Sequence, residues 1–408
     1  MERQIFKARW VFPVEGPPLE GAIVEVEGSR IAAVYAGDHP QAYDLGNTAL
    51  IPGLVNAHTH LEFSDLEKPL GPVAPFTEWI RSVMKSRFDS SGSAESKIQQ
   101  GIKESLGAGT TCLGEIATRS ESLQLLEQSE PVPHSVVFRE CLGFSADRIS
   151  EQEQIAADFF EERTGQGHEM PIVRGLSPHA PYSVHPDLYL RLVQLARDQG
   201  APVAVHLAET RDELGFLERK QGPFVELLSE LGLWDSQILS DGLRMYDYLA
   251  PLAELSSALA IHGNYFGEAE IEFLKKSPQI SVVYCPRTHH FFGHTLHPWL
   301  KMIGQGVNVA LGTDSRASNP DLSLWNELLF LRVQFPDVST GLILECGTLS
   351  GARALGFSQE IGSLVVGKRA DMALIQLADR SGSLSGSDLL LNSRSFVSRV
   401  MLNGCWVN

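Results

Sequence analysis

Short apolar runs alternate with longer amphipathic stretches from about residue 52 to residue 355 of this chain. The runs ALIPGLVNA, TTCLGEI, SVVFREC, PIVRGLS, PVAVHLA, LAIHG, ISVVYC and VNVALGT are short, nearly continuous in hydrophobicity and bounded by polar or glycine-containing sequence. Strands covered on both faces read this way. Between them, SKIQQGIKESLGAG, PDLYLRLVQLARDQG and EAEIEFLKKS repeat apolar residues at helical spacing. Strand and helix in regular alternation predict βα units around a parallel sheet. Eight strands, with no GxGxxG after the first, favour a closed (β/α)8 barrel over an open doubly wound sheet.

The two ends of the chain have a different texture. AIVEVEGSRIAAVYAG alternates with period two and is punctuated by glycine, as hairpin strands are. The same pattern returns after the helical stretch LILECGTLSGARALG, in IGSLVVGKRADMALIQL and SRVMLNGCWV, with turns expected at Gly367 and at Asn403-Gly404. Residues 1–51 and 360–408 are therefore expected to form one composite β-sandwich domain, and residues 52–359 the barrel.

Composition narrows the partners. At 408 residues, 43% hydrophobic and 20% charged, the chain suits a barrel plus an accessory domain. The net charge of -17, from 33 Lys+Arg against 50 Asp+Glu, opposes binding to a nucleic-acid polymer. No segment approaches the roughly 20 apolar residues of a membrane span, and the N-terminus lacks a signal-peptide core. A cytoplasmic location is expected. Five scattered cysteines without a CxxC pair signal neither a disulfide framework nor a thiolate metal site.

Candidate chemistry gathers at the C-terminal ends of the predicted strands, where barrel enzymes place their active sites. His58 and His60 close the first strand, and at i and i+2 their side chains point the same way. His206 closes the fifth, His262 the sixth and Asp314 the eighth. A lone histidine on an apolar strand is usually structural; recurrence at strand ends argues against that. Three histidines and a carboxylate suit Zn2+, Fe2+ or a similar ion, which activates water as a nucleophile near neutral pH. Glu209, three residues past His206, reaches a substrate from outside such a metal shell.

In this order, IPGLVNAHTHLEFS, SPHAPYS, VHLAET, IHGNYF, LGTDSRASN and the closing IGSLVVGKRADMAL resemble the amidohydrolase superfamily, in its cytosine deaminase-like and chlorohydrolase-like branch. The resemblance spans nearly the whole chain. It implies that His58, His60, His206 and Asp314 hold one divalent ion, Zn2+ ahead of Fe2+. His262 would orient the attacking metal-bound hydroxide, Asp314 would take a proton from it, and Glu209 would protonate a ring nitrogen before ammonia leaves. His179 and Tyr182 would meet the substrate. HTHLEFS, PFTEWIRSVMKSR and CPRTHHFFGHTLHP are similar to the aminodeoxyfutalosine deaminase group and imply further substrate contacts at Glu62, Trp79 and His289. Thr288 and His289 stand where many nucleoside deaminases carry Ser-Asn.

The activity so implied is deamination of an amino-substituted heterocycle, a 6-aminopurine nucleoside-like compound such as aminodeoxyfutalosine, by a hydrolase of non-peptide carbon–nitrogen bonds. The expected partner is that small molecule, with a homodimer as an allowed assembly. The competing readings are a binuclear cyclic-amide or peptide amidohydrolase, in which Glu140 would bridge two ions, a triazine-type chlorohydrolase, and a non-enzymatic binding protein on the same fold. His290, His294 and His297 are assigned to pocket lining or loop packing.

Overall fold

The computed structural model describes residues 3–89, 93–119, 121–162, 170, 172–378 and 385–407. Pro171, with which the fourth candidate strand begins, and the extreme termini of the expected β-domain lie outside them. The N-terminal segment forms β1 (Arg3–Val11), β2 (Leu19–Glu27), β3 (Arg30–Ala36), β4 (Tyr43–Asp44) and β5 (Thr48–Pro52). The barrel strands follow: β6 (Leu54–Thr59), β7 (Thr110–Ala117), β8 (His134–Cys141), β9 (Val173–Pro178), β10 (Val203–Leu207), β11 (Ala258–His262), β12 (Ile280–Tyr284) and β13 (Val309–Leu311). β14 (Met372–Gln376), β15 (Phe396–Leu402) and β16 (Cys405–Val407) complete the chain.

β6 to β13 pair in sequence order, all parallel, with helices between them. The ring closes where the ends of β6 and β13 meet. Thr59 bridges Asp314, and the Asp314 N–H donates to the His58 carbonyl at 3.0 Å. The Asn56 amide clasps the same seam, donating to Thr313 Oγ1 at 2.8 Å and accepting the Thr313 N–H at 3.1 Å. The architecture is the expected (β/α)8 barrel.

Strands from both termini form a separate sheet in the order β16-β15-β14-β5-β1-β2-β3, with β4 against β1. Its core mixes the two ends of the chain, Phe6, Val24 and Leu50 packing with Met372, Leu374 and Met401. The β2–β3 hairpin falls where alternation placed it, and Asn403 (φ 51°) and Gly404 (φ 77°) make the turn into β16.

Two elements differ from the sequence expectation. ALIPGLVNA is two strands: β5 pairs with β14 in the terminal sheet, β6 enters the barrel, and Gly53 separates them. A continuous apolar run cannot show this division, because both halves are buried. The Thr111 side chain fills the space a Cβ on Gly53 would need. The helical stretch 342–356 belongs to two helices, Thr340–Cys346 and Leu349–Ala354, interrupted at Gly347-Thr348. Cys405 is exposed on β16, whereas the other four thiols are buried. No described helix is long and apolar enough to cross a membrane.

Candidate metal centre and active-site cavity

Parallel strands end on one rim, so residues that close different strands become neighbours. Ligand atoms of His58, His60 and His206 lie within 4.8 Å of one another, as do those of His58, His262 and Asp314. Asp314 Oδ1 is 3.5 Å from His58 Nε2 and 3.6 Å from His60 Nε2. The expected metal set thus meets at one place, with His262 alongside.

Backbone geometry aims these groups. His262 (φ 68°) and Asp314 (φ 59°) occupy the left-handed region, as does Ala208 (φ 53°) just before Glu209. Non-glycine residues adopt it at some cost, and such strain concentrates at functional sites. Here it turns the chain off each strand end so that the side chain stays at the rim. Asp314 is fixed further, Oδ1 accepting the Ser315 N–H at 2.7 Å and Oδ2 the Ser318 hydroxyl at 3.0 Å. His206 Nδ1 donates to the His179 carbonyl at 2.9 Å, which fixes the tautomer and leaves the Nε2 lone pair for the centre. Glu115 accepts the Leu61 N–H at 3.0 Å and steadies the turn carrying His60.

A divalent cation fits this arrangement. Among the described residues His58 has no hydrogen-bond partner at either ring nitrogen, although both are buried. Burial lowers the pKa of His58, His60 and His262 well below the usual histidine range, and holds His206 at about 4. The imidazoles are therefore neutral, the form that donates a lone pair to a metal.

Glu209 stands beside the cluster, its Oε1 3.5 Å from His262 Nε2. Its backbone is pinned by Glu213, whose carboxylate accepts the Ala208 and Glu209 N–H groups at 3.1 and 2.9 Å. Asn264 donates to the Glu209 carbonyl at 2.9 Å. Burial raises the Glu209 pKa well above the carboxylate range, and the charges of Asp314 and Glu213 add to the shift.

A cavity of about 610 Å³ opens from the centre. His60, His206, His262, Asp314, Glu209 and Glu140 line its polar end. The helix Phe76–Asp89 supplies much of the apolar end, Phe76, Trp79, Ile80 and Val83 recurring at helical spacing. Trp79 Nε1 donates to the Ala317 carbonyl at 3.1 Å, which ties this helix to the loop after β13. His179 and Tyr182 line the cavity, Tyr182 stacked on Phe224 at 4.2 Å between centroids.

Two expected substrate contacts are placed elsewhere. Glu62 is not among the cavity-lining residues; its carboxylate accepts the Thr118 N–H at 3.0 Å and the Thr118 hydroxyl. His289 also lies outside the lining and packs edge-on against Tyr284. His297 has a structural task instead, donating from Nε2 to the His262 carbonyl at 2.8 Å. Sequence reasoning passed over Glu213, Ser318 and Asn56. A second acid four residues after Glu209 was the only visible sign of the first, and the other two carried none.

A parallel barrel whose strand ends gather imidazoles and a carboxylate belongs to the class of barrel proteins built to hold a catalytic metal. The chain belongs to the amidohydrolase family, whose model matches residues 49–407. It is 30% identical over 354 residues to the aminodeoxyfutalosine deaminase of a Nitratiruptor species, covering 85% of this chain and 83% of that protein. It is 27% identical over 398 residues to the 5-methylthioadenosine/S-adenosylhomocysteine deaminase of Moorella thermoacetica, covering 92% and 86%. A Xanthomonas campestris adenosine deaminase solved with bound zinc superposes with a TM-score of 0.77 at 25% identity, covering 99% of this chain and 92% of the other.

Proposed function

We propose that the protein is a metal-dependent hydrolytic deaminase of a 6-aminopurine nucleoside-like compound, with aminodeoxyfutalosine a leading candidate. The observation that carries the reading is Glu209: a buried carboxyl group beside the histidine–aspartate cluster, opening on the same cavity. The named activities of the relatives support it. His58, His60, His206 and Asp314 would hold one divalent ion, with zinc preferred after the Xanthomonas structure. When bound, that ion supplies a nucleophile by lowering the pKa of water toward neutrality.

The remaining work falls to the chain. An amino-substituted ring carbon is a poor electrophile until its neighbouring nitrogen gains a proton. Glu209, whose burial favours the protonated carboxyl, carries that proton. His262 Nε2, 3.5 Å from Glu209 Oε1, orients the attacking water. Asp314 Oδ1 accepts the proton released in the attack, Ser315 and Ser318 keeping its carboxylate in place. Asp314 passes that proton to the amine, which departs as ammonia, and Glu209 regains a proton from the added hydroxyl as the carbonyl forms, while the apolar wall excludes other water.

Glu209→Gln should retain fold and metal but lose about 10^2- to 10^4-fold in turnover, the usual worth of a general acid–base group. His206→Ala should lose metal as well. Metal content and ammonia release, measured for both variants, check this; a Glu209→Gln protein with wild-type turnover would sink the proton-carrier role.

A further inference from the structure

The histidine-rich segment between β12 and the helix Trp299–Gly304 supplies none of the converging ligand atoms, yet it grips the loop that follows His262. His297 is buried and donates from Nε2 to the His262 carbonyl at 2.8 Å. Its ring stacks on Tyr284, with 4.0 Å between centroids and 19° between planes. Tyr284 ends β12, which pairs with β11 in the register Ile261 to Val283, so the stack anchors His297 to the strand beside the one that delivers His262. A second grip joins the same two loops, where His294 Nδ1 and the Tyr265 hydroxyl share a hydrogen bond at 3.0 Å. The His262 loop in turn fastens the loop of Glu209. Asn264 donates to the Glu209 carbonyl at 2.9 Å, and the Tyr265 N–H to the Ala208 carbonyl at 3.3 Å.

His262 needs such a hold. Its φ of 68° is followed by Gly263 at 63°, so two consecutive residues are left-handed and only the second is free of a Cβ. A non-glycine residue adopts this conformation at a cost and keeps it only where its surroundings over-determine it. Resting on the deaminase reading, in which His262 orients the attacking water, we infer that His297 is a positioning residue for the reaction. Its N–H, fixed in place by the Tyr284 stack, holds the His262 backbone left-handed and so keeps His262 Nε2 within 3.5 Å of Glu209 Oε1. His297 is not among the cavity-lining residues, so it acts through His262 and not on the substrate. Without that donor the His262 backbone relaxes and its imidazole leaves the proton carrier, while His58, His60, His206 and Asp314 keep their places on other strands.

The test removes the donor and keeps the stack. His297→Phe, loaded with zinc, should retain its metal content and KM while kcat falls by about 10- to 100-fold, the scale on which a small misplacement of a catalytic group acts. His297→Gln, which restores an N–H donor, should recover most of that loss. In a His262→Ala background His297→Phe should have no further effect, because a residue that acts through His262 then has nothing to position. Ammonia release from aminodeoxyfutalosine, adenosine and 5′-methylthioadenosine gives the rates, and a crystal structure of His297→Phe should show His262 out of its left-handed conformation. Wild-type kcat in His297→Phe, an equal loss in both backgrounds, loss of metal, or an unmoved His262 would each overturn the assignment. If the wild type releases ammonia from none of the three nucleosides, the deaminase reading fails separately, and the hold on His262 is read from the crystal structure alone. Should His297→Phe not fold, the structure of His297→Gln decides: an amide turned away from an unmoved His262 carbonyl overturns the inference, and one bonded to it supports it.

Discussion

Glu209 and Glu213 lie four residues apart, both buried, and burial acts on them alike while their surroundings divide their work. Glu209 faces the cavity; Glu213 faces the backbone and holds the Ala208 and Glu209 N–H groups. Burial raises the Glu213 pKa from its ordinary 4.5 to about 8, although the backbone N–H groups pull the other way. A carboxyl group with a raised folded-state pKa contributes stability in full below its unfolded pKa, and that contribution is lost as pH rises through the folded value. The wild type should therefore lose melting temperature between about pH 5 and pH 9, and Glu213→Gln should flatten that decline. The variant also turns an amide N–H toward a backbone N–H, costing about 1–3 kcal/mol near neutrality. Thermal melts of both proteins across this range check the sign; an identical slope would remove Glu213 as its source. The candidate ligands were legible in the sequence because each closes an apolar run. Glu62 and His289 could not be placed that way, since each sits in a short helix after its strand, Leu61–Phe63 and Pro286–Phe291, where one residue of rotation decides whether a side chain faces the cavity.

At the scale of strands, the centre depends on how closely β6 and β13 approach. A Cβ on Gly312 would lie 2.9 Å from both the Cβ and the carbonyl oxygen of His58. Gly312→Ala should push the β6 end outward and displace His58, lowering metal affinity by about 10- to 100-fold, as changes behind a metal ligand commonly do. Gly341→Ala is the control: it lies in the helix Thr340–Cys346 with open space around it. Metal content after dialysis against a graded chelator should separate the two, and equal retention would show that the seam tolerates the methyl group. Hydrophobic run length located the barrel strands well. It failed at Gly53, where one apolar run serves two sheets.

The largest scale joins barrel to terminal sheet. His134, at the start of β8, meets Asp371 just before β14, Nε2 to Oδ2 at 2.7 Å with both side chains buried. The other oxygen, Asp371 Oδ1, accepts the Asn403 N–H at 2.7 Å. Asp371→Ala leaves His134 and the Asn403 N–H without this acceptor, so stability should drop by about 3 kcal/mol. Chemical denaturation followed by fluorescence measures the drop; a change under the noise of the midpoint would show that the contact does not couple the two sheets.

By itself the sequence determined the alternation of strand and helix, the pairing of the two chain ends in a sheet of their own, and the strand-end histidines and acids, because local periodicity and residue chemistry are properties of neighbours in the chain. Only the tertiary structure decided which acids are satisfied and which remain open to a ligand. Glu115, Glu140 and Glu213 are indistinguishable as letters; whether each meets a backbone N–H or faces the cavity depends on segments distant in the chain or on the turn it takes. The closed ring made that selection, placing residues 58 and 314 side by side across a seam that no local pattern records.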